Sequence, residues 1–420
     1  MKKLRTKSYT DEQIKFIKDL VTEGLDWQDI TDAFNGMFDT KKTLKALQNK
    51  YYTVQDYDLS DDEMLLNIRA AHSAKKASSR VRKENRLVLD ALQEREEFLD
   101  ELLSINSIIP IKMHPKVKIK RRGTPSRSVV AHISDTHIGV NINEEEMGGT
   151  NKFNSTIAAR RFAMFFFEIA NYKLDHRKDT ELVLVLNGDI LAGVIHNQEH
   201  VVDRMSTQFS SALRILSQGI SFLSQHFADI RVICTTGNHD RRMHKADKGR
   251  ASADKWDSFS TDLYISLRER FVEYDNINFT IPVTPYALFK VQGHNFFATH
   301  GDTIINIGNV SKKIEFKNLK DQINDISIAL DTKLHVVMVG HVHKQTYQTL
   351  DNGTELLINN SLSGVDTFAQ SIGILKGVKS QQLIEVTSDF PVGDLRSVRL
   401  DKADDNDELD QIVEPMARLF

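Results

Sequence analysis

Apolar residues recur at helical spacing near the start of the chain. From about Val129 they collect instead into short runs that each end in a polar cluster. In the first region Thr10 and Gln13 form a capping-box pair. Ile14, Ile17 and Val21 follow on one face, and Gly24 stops them. Asp26 is placed to cap a second helix carrying Trp27, Ile30 and Phe34, which Asn35-Gly36 is expected to break. A third helix from about Thr40 turns Leu44, Leu47 and Tyr51 inward. Three short helices with one apolar face each predict a minimal bundle over residues 8–56.

Ser60 and Glu63 open a long helical stretch reaching about Ser107. Val88, Leu92, Leu99 and Leu103 keep a rough heptad stripe, but Arg95 interrupts it. An arm, a dimerisation helix and a connector packed on the next domain all remain open. Pro110, Pro115 and Pro125, with Lys116, Lys118, Lys120, Arg121 and Arg122, then predict an exposed basic linker. Residues 57–128 therefore read as a helical arm and linker.

Beyond it, Val129–Ser134, Leu182–Asn187, Arg231–Thr236, Asn295–Thr299 and His335–Val339 have the character of buried strands. Helices fit Ile157–Tyr172 and Thr207–His226. Further strands near Phe289, Tyr347 and Leu356 suggest a mixed sheet, with Asn352-Gly353 turning between the last two. The expectation is an α/β domain over 129–387, mixed sheets flanked by helices. The small all-α domain and its helical linker precede it. Residues 388–420 are acidic and poor in apolar side chains, which predicts a flexible tail.

Composition narrows the setting. The 420 residues are 40% hydrophobic and 27% charged, an ordinary globular balance that argues against a disordered or fibrous chain. No apolar run approaches the ~18 residues of a membrane helix, and residues 1–14 hold no apolar signal core. The single cysteine, Cys234, sits in an apolar strand and reads as core. A cytoplasmic protein is the expectation. The net charge is −3 but uneven: residues 1–127 hold 25 Lys and Arg against 20 Asp and Glu, residues 388–420 hold 4 against 9. A basic front suits a polyanion.

The polar clusters carry the chemistry. Successive strands end in Ser134-Asp135-Thr136-His137, Asn187-Gly188-Asp189, Gly237-Asn238-His239-Asp240, His300-Gly301-Asp302 and Gly340-His341-Val342-His343. Carboxyl ends of strands in open α/β sheets line the functional crevice, so the five clusters should converge. Asp135, Asp189, Asn238, His137, His300, His341 and His343 exceed what one ion takes and suit two that share a carboxylate. Imidazole-rich mixed donor sets favour Mn, Fe or Zn over Mg or Ca.

This ordered set resembles the calcineurin-like metallophosphoesterase superfamily over about residues 129–365. The resemblance implies that Asp135, His137 and His343 hold a first metal and that Asp189 bridges. Asn238, His300 and His341 would complete a second site. His239 would be the catalytic histidine and Asp240 would orient it. Two divalent ions, most simply Mn²⁺, would then support hydrolysis by in-line attack of a bridging hydroxide, with no protein nucleophile.

Within the superfamily, Asp135-Thr136-His137-Ile138-Gly139 and Gly237-Asn238-His239-Asp240 look most like the Mre11/SbcD exonuclease branch. Ala192 departs from it, standing where those nucleases usually carry a polar residue. Their long capping region is not evident either. The second motif lacks the Asp-Arg-Gly of protein phosphatases. Residues 8–56 resemble a Myb/SANT-like helix-turn-helix, with Lys41, Lys42, Lys45, Asn49 and Lys50 on the outer face of its third helix. Arg241 and Arg242, with His244, Lys245, Lys248 and Arg250, suit phosphates flanking a scissile bond. A two-metal phosphodiesterase, most simply a DNA nuclease, is the expectation. The alternatives are a phosphodiesterase or phosphatase for small molecules and a non-catalytic DNA-binding regulator. Family resemblance also allows a Rad50/SbcC-like ATPase partner. A homo-oligomer stays open, as does a sliding clamp docked on the terminal Leu419-Phe420.

Overall fold

The computed structural model describes residues 9–55, 86, 111–117, 119, 123–172, 180–194, 201–242, 257–305, 316–366, 370 and 377–414. It divides into two compact units, Met1–Gln93 and Glu94–Phe420. The expected helical arm lies, Arg86 aside, outside the described residues, as do His244, Lys245, Lys248, Arg250 and the terminal Leu419-Phe420.

Among the described residues of the first unit, three helices cover 11–55: α1 (Asp11–Thr22), α2 (Trp27–Phe38) and α3 (Leu44–Gln55). Both strands of the predicted capping box form at Thr10 and Gln13, and Asp26 caps α2. Ile17, Phe34 and Leu47 make the buried core, ringed by Tyr9, Phe16, Trp27, Phe38 and Tyr51. Asn35-Gly36 does not break α2, which runs on to Phe38 and ends at a left-handed Asp39. The Asn35 side chain is used in the next connection instead. Its Oδ1 accepts from Thr40 Oγ1 and Lys42 N, and its Nδ2 donates to Lys42 O. This delays α3 to Leu44, so Lys41 and Lys42 lie in the connection and not on the helix.

The second unit begins with β1 (Arg127–Ile133), β2 (Val140–Asn141), α4 (Ser155–Asn171), β3 (Thr180–Asn187), β4 (Val201–Val202), α5 (Met205–Leu223) and β5 (Asp229–Thr235). It continues through α6 (Phe259–Arg270), β6 (Ile277–Thr280), β7 (Tyr286–Val291), β8 (His294–Thr299) and α7 (Phe316–Ala329). It closes with β9 (Val336–Val339), β10 (Thr346–Thr349), β11 (Glu355–Ile358), β12 (Ser380–Thr387), β13 (Asp394–Arg399) and two 3-10 turns, Asp401–Ala403 and Asp407–Gln411.

Two mixed sheets result, in the orders β13-β12-β1-β3-β5-β6 and β10-β11-β9-β8-β7. Strand alternation explains the layers. Val129, Ala131 and Ile133 of β1 face a core shared with α4, α5 and α6. Val130, Val183, Val185 and Ile233 face Phe296, Ala298, Val336 and Met338 of the other sheet. The far face of that sheet packs Val337 and Val339 on Leu319 and Ile323 of α7. Central strands are thus apolar on both faces, which is why they read as continuous runs. Cys234 is buried in β5, as its setting predicts.

At the carboxyl end of β1 and β3 the inter-sheet layer turns polar. His132 Nε2 meets Asn187 Nδ2 at 3.0 Å and its Nδ1 meets Gln382 Oε1 at 3.2 Å. Asn187 Oδ1 accepts from Thr235 Oγ1, and Asn359 Nδ2 reaches His132 O and Gln381 Oε1. An amide donor on Nε2 leaves His132 neutral, and burial lowers its pKa to about 4. This hydrogen-bonded polar floor underlies the site.

Two expectations about exposed segments are corrected. Residues 111–117 are docked: Ile111 and Met113 pack on the core, His114 Nε2 reaches Ile412 O, and Lys116 lies over Tyr274. The acidic segment after 387 is also folded as far as residue 414. β13 pairs antiparallel with β12, and Val398, Leu400, Ala403 and Val413 are buried. Its carboxylates are matched by cations: Asp404 by Arg161 and Lys379, Asp405 by Lys152, Asp407 and Asp410 by Arg160. Charge matching and a few well-placed apolar residues replace the apolar density that composition alone would demand.

Candidate metal centre

All five polar clusters meet at one edge of the sandwich. The site starts with backbone geometry. Asp135, His137, Asp189, His341 and His343 all hold positive φ, between 46° and 71°. Non-glycine residues rarely adopt this region, and such strain concentrates at functional sites. It is held by surrounding bonds: Thr136 N and His137 N donate to Asp189 O, and Leu362 N donates to Asp135 O. His341 N donates to both oxygens of Asp135, at 2.9 and 3.1 Å. Two glycines give the carboxylates room. A Cβ at Gly340 would sit 2.5 Å from Asp135 Oδ2, and one at Gly237 would overlap Asp189 Oδ1.

Side-chain donors gather in three overlapping groups: Asp135, His137 and His343; His137, Asp189 and His239; Asp189, His300 and His341. Asp189 is common to the last two. His300 Nδ1 faces Asn187 O at 3.0 Å and donates to it, so in the neutral ring Nε2 presents a lone pair. That nitrogen approaches Asp189 Oδ2 to 2.9 Å, yet without hydrogen-bond alignment. His343 Nε2 lies 3.2 Å from Asp135 Oδ1 and 3.1 Å from His137 Nε2. Asn238 Oδ1 is buried with no hydrogen-bond partner. Buried acceptors are nearly always satisfied, so acceptors facing acceptors mark places where cations fit. The donor set therefore suits divalent metals, with imidazole, carboxylate and carboxamide together.

Without metal, protons take the cations' place. Burial disfavours charged His300, but Asp189 and then Asp135 outweigh it and raise its pKa to about 10. His343 is raised in the same way, against burial, by Asp135. Burial and then His300 lower His341 to about 4. Burial, His239 and His343 hold His137 well below the ordinary range. Burial opposes ionisation of Asp135 and Asp189, but the neighbouring histidines win and both carboxyls stay low.

Asp240 departs from expectation. Its Oδ2 accepts from Gly237 N at 2.6 Å and Asp189 N at 3.0 Å, shaping the turn and the second motif. Burial and then Asp189 raise its pKa. His239 is held elsewhere: its Nδ1 faces Ala192 O at 2.9 Å, and its backbone N donates to Asp189 Oδ1 at 2.8 Å. The acceptor is a main-chain carbonyl, which an alanine supplies as well as any residue.

The arginines also differ. Arg241 pairs with Asp302, and Arg242 pairs with Asp257 and Asp262 while lying over Phe259. Both arginines are thus ion-paired within the fold. In the first unit, Lys41, Lys45 and Asn49 are exposed. Lys42 and Lys50 lie 4.9 and 5.8 Å from the Tyr9 ring centre. Supporting residues were missed from the sequence, among them Ser134, whose Oγ donates to Asp135 Oδ2 at 2.5 Å, and Ser361, which donates to Asp135 O. Gln381 and Gln382 carry a usable signal, since polar residues inside a strand-like apolar run need partners.

The chain belongs to the calcineurin-like phosphoesterase family, whose profile matches residues 128–348, more than half its length. No curated protein matches it. Among solved structures it is similar to an archaeal phosphodiesterase, with 13% identity, 64% of this chain and 99% of that one covered, and a TM-score of 0.31. It is similar to a dimetal phosphatase from Danio rerio, with 10% identity, 66% and 96% coverage and a TM-score of 0.34. A third is Vps29 of Entamoeba histolytica complexed with zinc, with 13% identity, 65% and 99% coverage and a TM-score of 0.27. Among the described residues no helix is long and apolar enough to cross a membrane.

Proposed function

We propose that this phosphoesterase is a two-metal phosphodiesterase acting on nucleic acid, most simply a DNA nuclease, with its N-terminal helices as the DNA-binding element. The observation that carries the catalytic half is the convergence of the Asp135 and Asp189 carboxylates with the nitrogens of His137, His300, His341 and His343. Asp135, His137 and His343 would hold one divalent cation and Asn238, His300 and His341 the other, with Asp189 between them. Manganese fits this set, as do iron and zinc. Cations bound there supply Lewis acidity and activation of water for attack on phosphorus.

The chain's own residues do the rest. His239 is fixed at Nδ1 by Ala192 O, so Nε2 is the atom that holds a proton for the leaving oxygen. Asp240 keeps Asp189 in place through its backbone N–H. Arg241, tethered by Asp302, keeps a buried Nε without a partner and is the arginine suited to a substrate phosphate. Lys41 and Lys45, with Asn49, offer phosphate and base-edge contacts.

The test is hydrolysis of bis-p-nitrophenyl phosphate with each divalent metal in turn. Asp189→Ala should abolish turnover, and His239→Ala should lower kcat for diphenyl phosphate, whose leaving group needs a proton, ~10²–10⁴-fold. Defined linear, circular, single- and double-stranded DNA then follow. Turnover of the small diester with no cleavage of any DNA would support the second reading, a small-molecule phosphodiesterase. The neutralised Arg242 favours that reading.

A further inference from the structure

His239 Nδ1 is met by a main-chain carbonyl, and that carbonyl needs a support of its own. The acceptor is Ala192 O, which belongs to the peptide unit joining Ala192 to Gly193. A peptide unit is planar and trans, so its N–H and C=O point in opposite directions and turn together. The N–H of that same unit, Gly193 N, donates to Gln208 Oε1 at 2.8 Å. Gln208 Nε2 returns to Asp203 O at 2.8 Å and to Gly193 O at 3.3 Å. His239 and Gln208 therefore hold opposite edges of one peptide plane.

We propose that Gln208 is a positioning residue for His239, acting through the Ala192–Gly193 peptide.

Three observations support it. Gln208 is buried in the first turns of α5, where an unsatisfied amide would cost stability, and its amide is spent on this strap. The strap has no slack. Ala192 N donates to Ile138 O, and a Cβ on Gly193 would overlap His239 O. Gln208 is itself braced, because Asp203 N donates to Gly139 O, and a Cβ at Gly139 would run into the Gln208 side chain. Hydrogen bonds in a chain polarise one another, so an acceptor on Gly193 N–H also strengthens Ala192 O as an acceptor.

The inference rests on His239 serving the leaving oxygen. The experiment compares bis-p-nitrophenyl phosphate, whose leaving group needs little protonation, with diphenyl phosphate, whose leaving group needs more. Gln208→Met keeps the volume and removes the amide. It should lower kcat for diphenyl phosphate ~10–100-fold, the usual cost of losing an outer support. The nitrophenyl ester should change several-fold less, with KM for both nearly unchanged. His239→Ala should show the same bias more strongly. Gln218→Met on the same helix, whose amide holds Lys112 O and Glu414 N, should lose stability without the bias. Gln208→Glu keeps the acceptor for Gly193 N–H and should restore part of it, which covers the case in which Gln208→Met does not fold. In the metal-free protein, the His239 Nδ1–H should exchange faster with solvent in Gln208→Met. Equal slowing of both esters, or an unchanged Nδ1–H, overturns the inference. If His239→Ala shows no bias either, the role given to His239 fails instead.

Discussion

Two clusters of buried charge sit in the phosphoesterase unit, and they are built on opposite terms. Around Arg161 the account closes. Its Nε and Nη2 take both oxygens of Asp404 at 2.7 Å, Nη1 takes Leu362 O and Ser363 O, and Nη2 also takes Lys152 O. Every guanidinium donor has a partner. Around Asp189 it does not close: lone pairs face lone pairs, an amide oxygen is stranded, and five residues hold left-handed backbone. The first arrangement is what a charge needs in order to be structural. The second is the donor arrangement of a cation-binding site. Burial alone does not separate them, whereas satisfaction of donors and acceptors does.

The largest expected effect tests the closed cluster. Arg161→Ala or Asp404→Ala should each cost about 3–5 kcal/mol, because each strands the other charge. Replacing both by apolar residues should cost far less than the sum. Urea unfolding of the singles and the double checks this, and additive losses would remove the contrast. The same variants should leave the metal-induced rise in melting temperature in place.

A smaller effect tests the open cluster. Gly340→Ala crowds Asp135 Oδ2 and should weaken metal affinity ~10–100-fold, as loss of ligand support does. Calorimetric titration with Mn²⁺ reads it. Unchanged affinity would mean that the close approach is incidental.

The open cluster and the polar floor beneath it should also make stability depend on pH. In metal-free protein, His132 and His341 are held at about 4, against 6.5 in the unfolded chain. The unfolded state then binds more protons between those values, so stability falls as pH drops from 6.5 toward 4. His300 is raised to about 10. Its contribution is full below 6.5 and is lost as pH rises through 10. The melting temperature of chelated protein should therefore peak near pH 6.5. Saturating metal should remove the alkaline decline, since cations take over from protons. A flat profile would show that the site carries no stored mismatch.

The smallest stability effect belongs to charge outside both clusters. Lys41→Ala or Lys45→Ala should shift unfolding by less than ~0.5 kcal/mol. Each should reduce the slope of log affinity for duplex DNA against log salt by about 0.9. An unchanged slope would take the lysine out of the interface.

Much of this was readable in advance for particular reasons. β1, β3, β5 and β8 declare themselves because their residues are apolar on both faces, and each ends in a ligand-bearing turn. β12 does not declare itself as a strand because Gln381 and Gln382 interrupt its apolar run, and their partners Ser134, Asn360 and Ile358 lie outside it in sequence. The acidic C-terminal segment was misread for the same reason. Its negative charge is visible in composition, but the four cations that match it come from helix α4, the loop before it and the residue preceding β12.

What the sequence determined by itself is the chemistry available: which donor types exist, and that each follows a strand. Local pattern suffices there because strand periodicity and turn residues act over a few neighbours. What only the tertiary structure decided is which polar groups end up satisfied. It put Ala192 O, not Asp240, on His239, spent Arg242 on Asp257 and Asp262, and left Asn238 Oδ1 with nothing. Hydrogen bonds and ion pairs are settled between residues up to 298 positions apart, as between His114 and Ile412, and no local pattern records them.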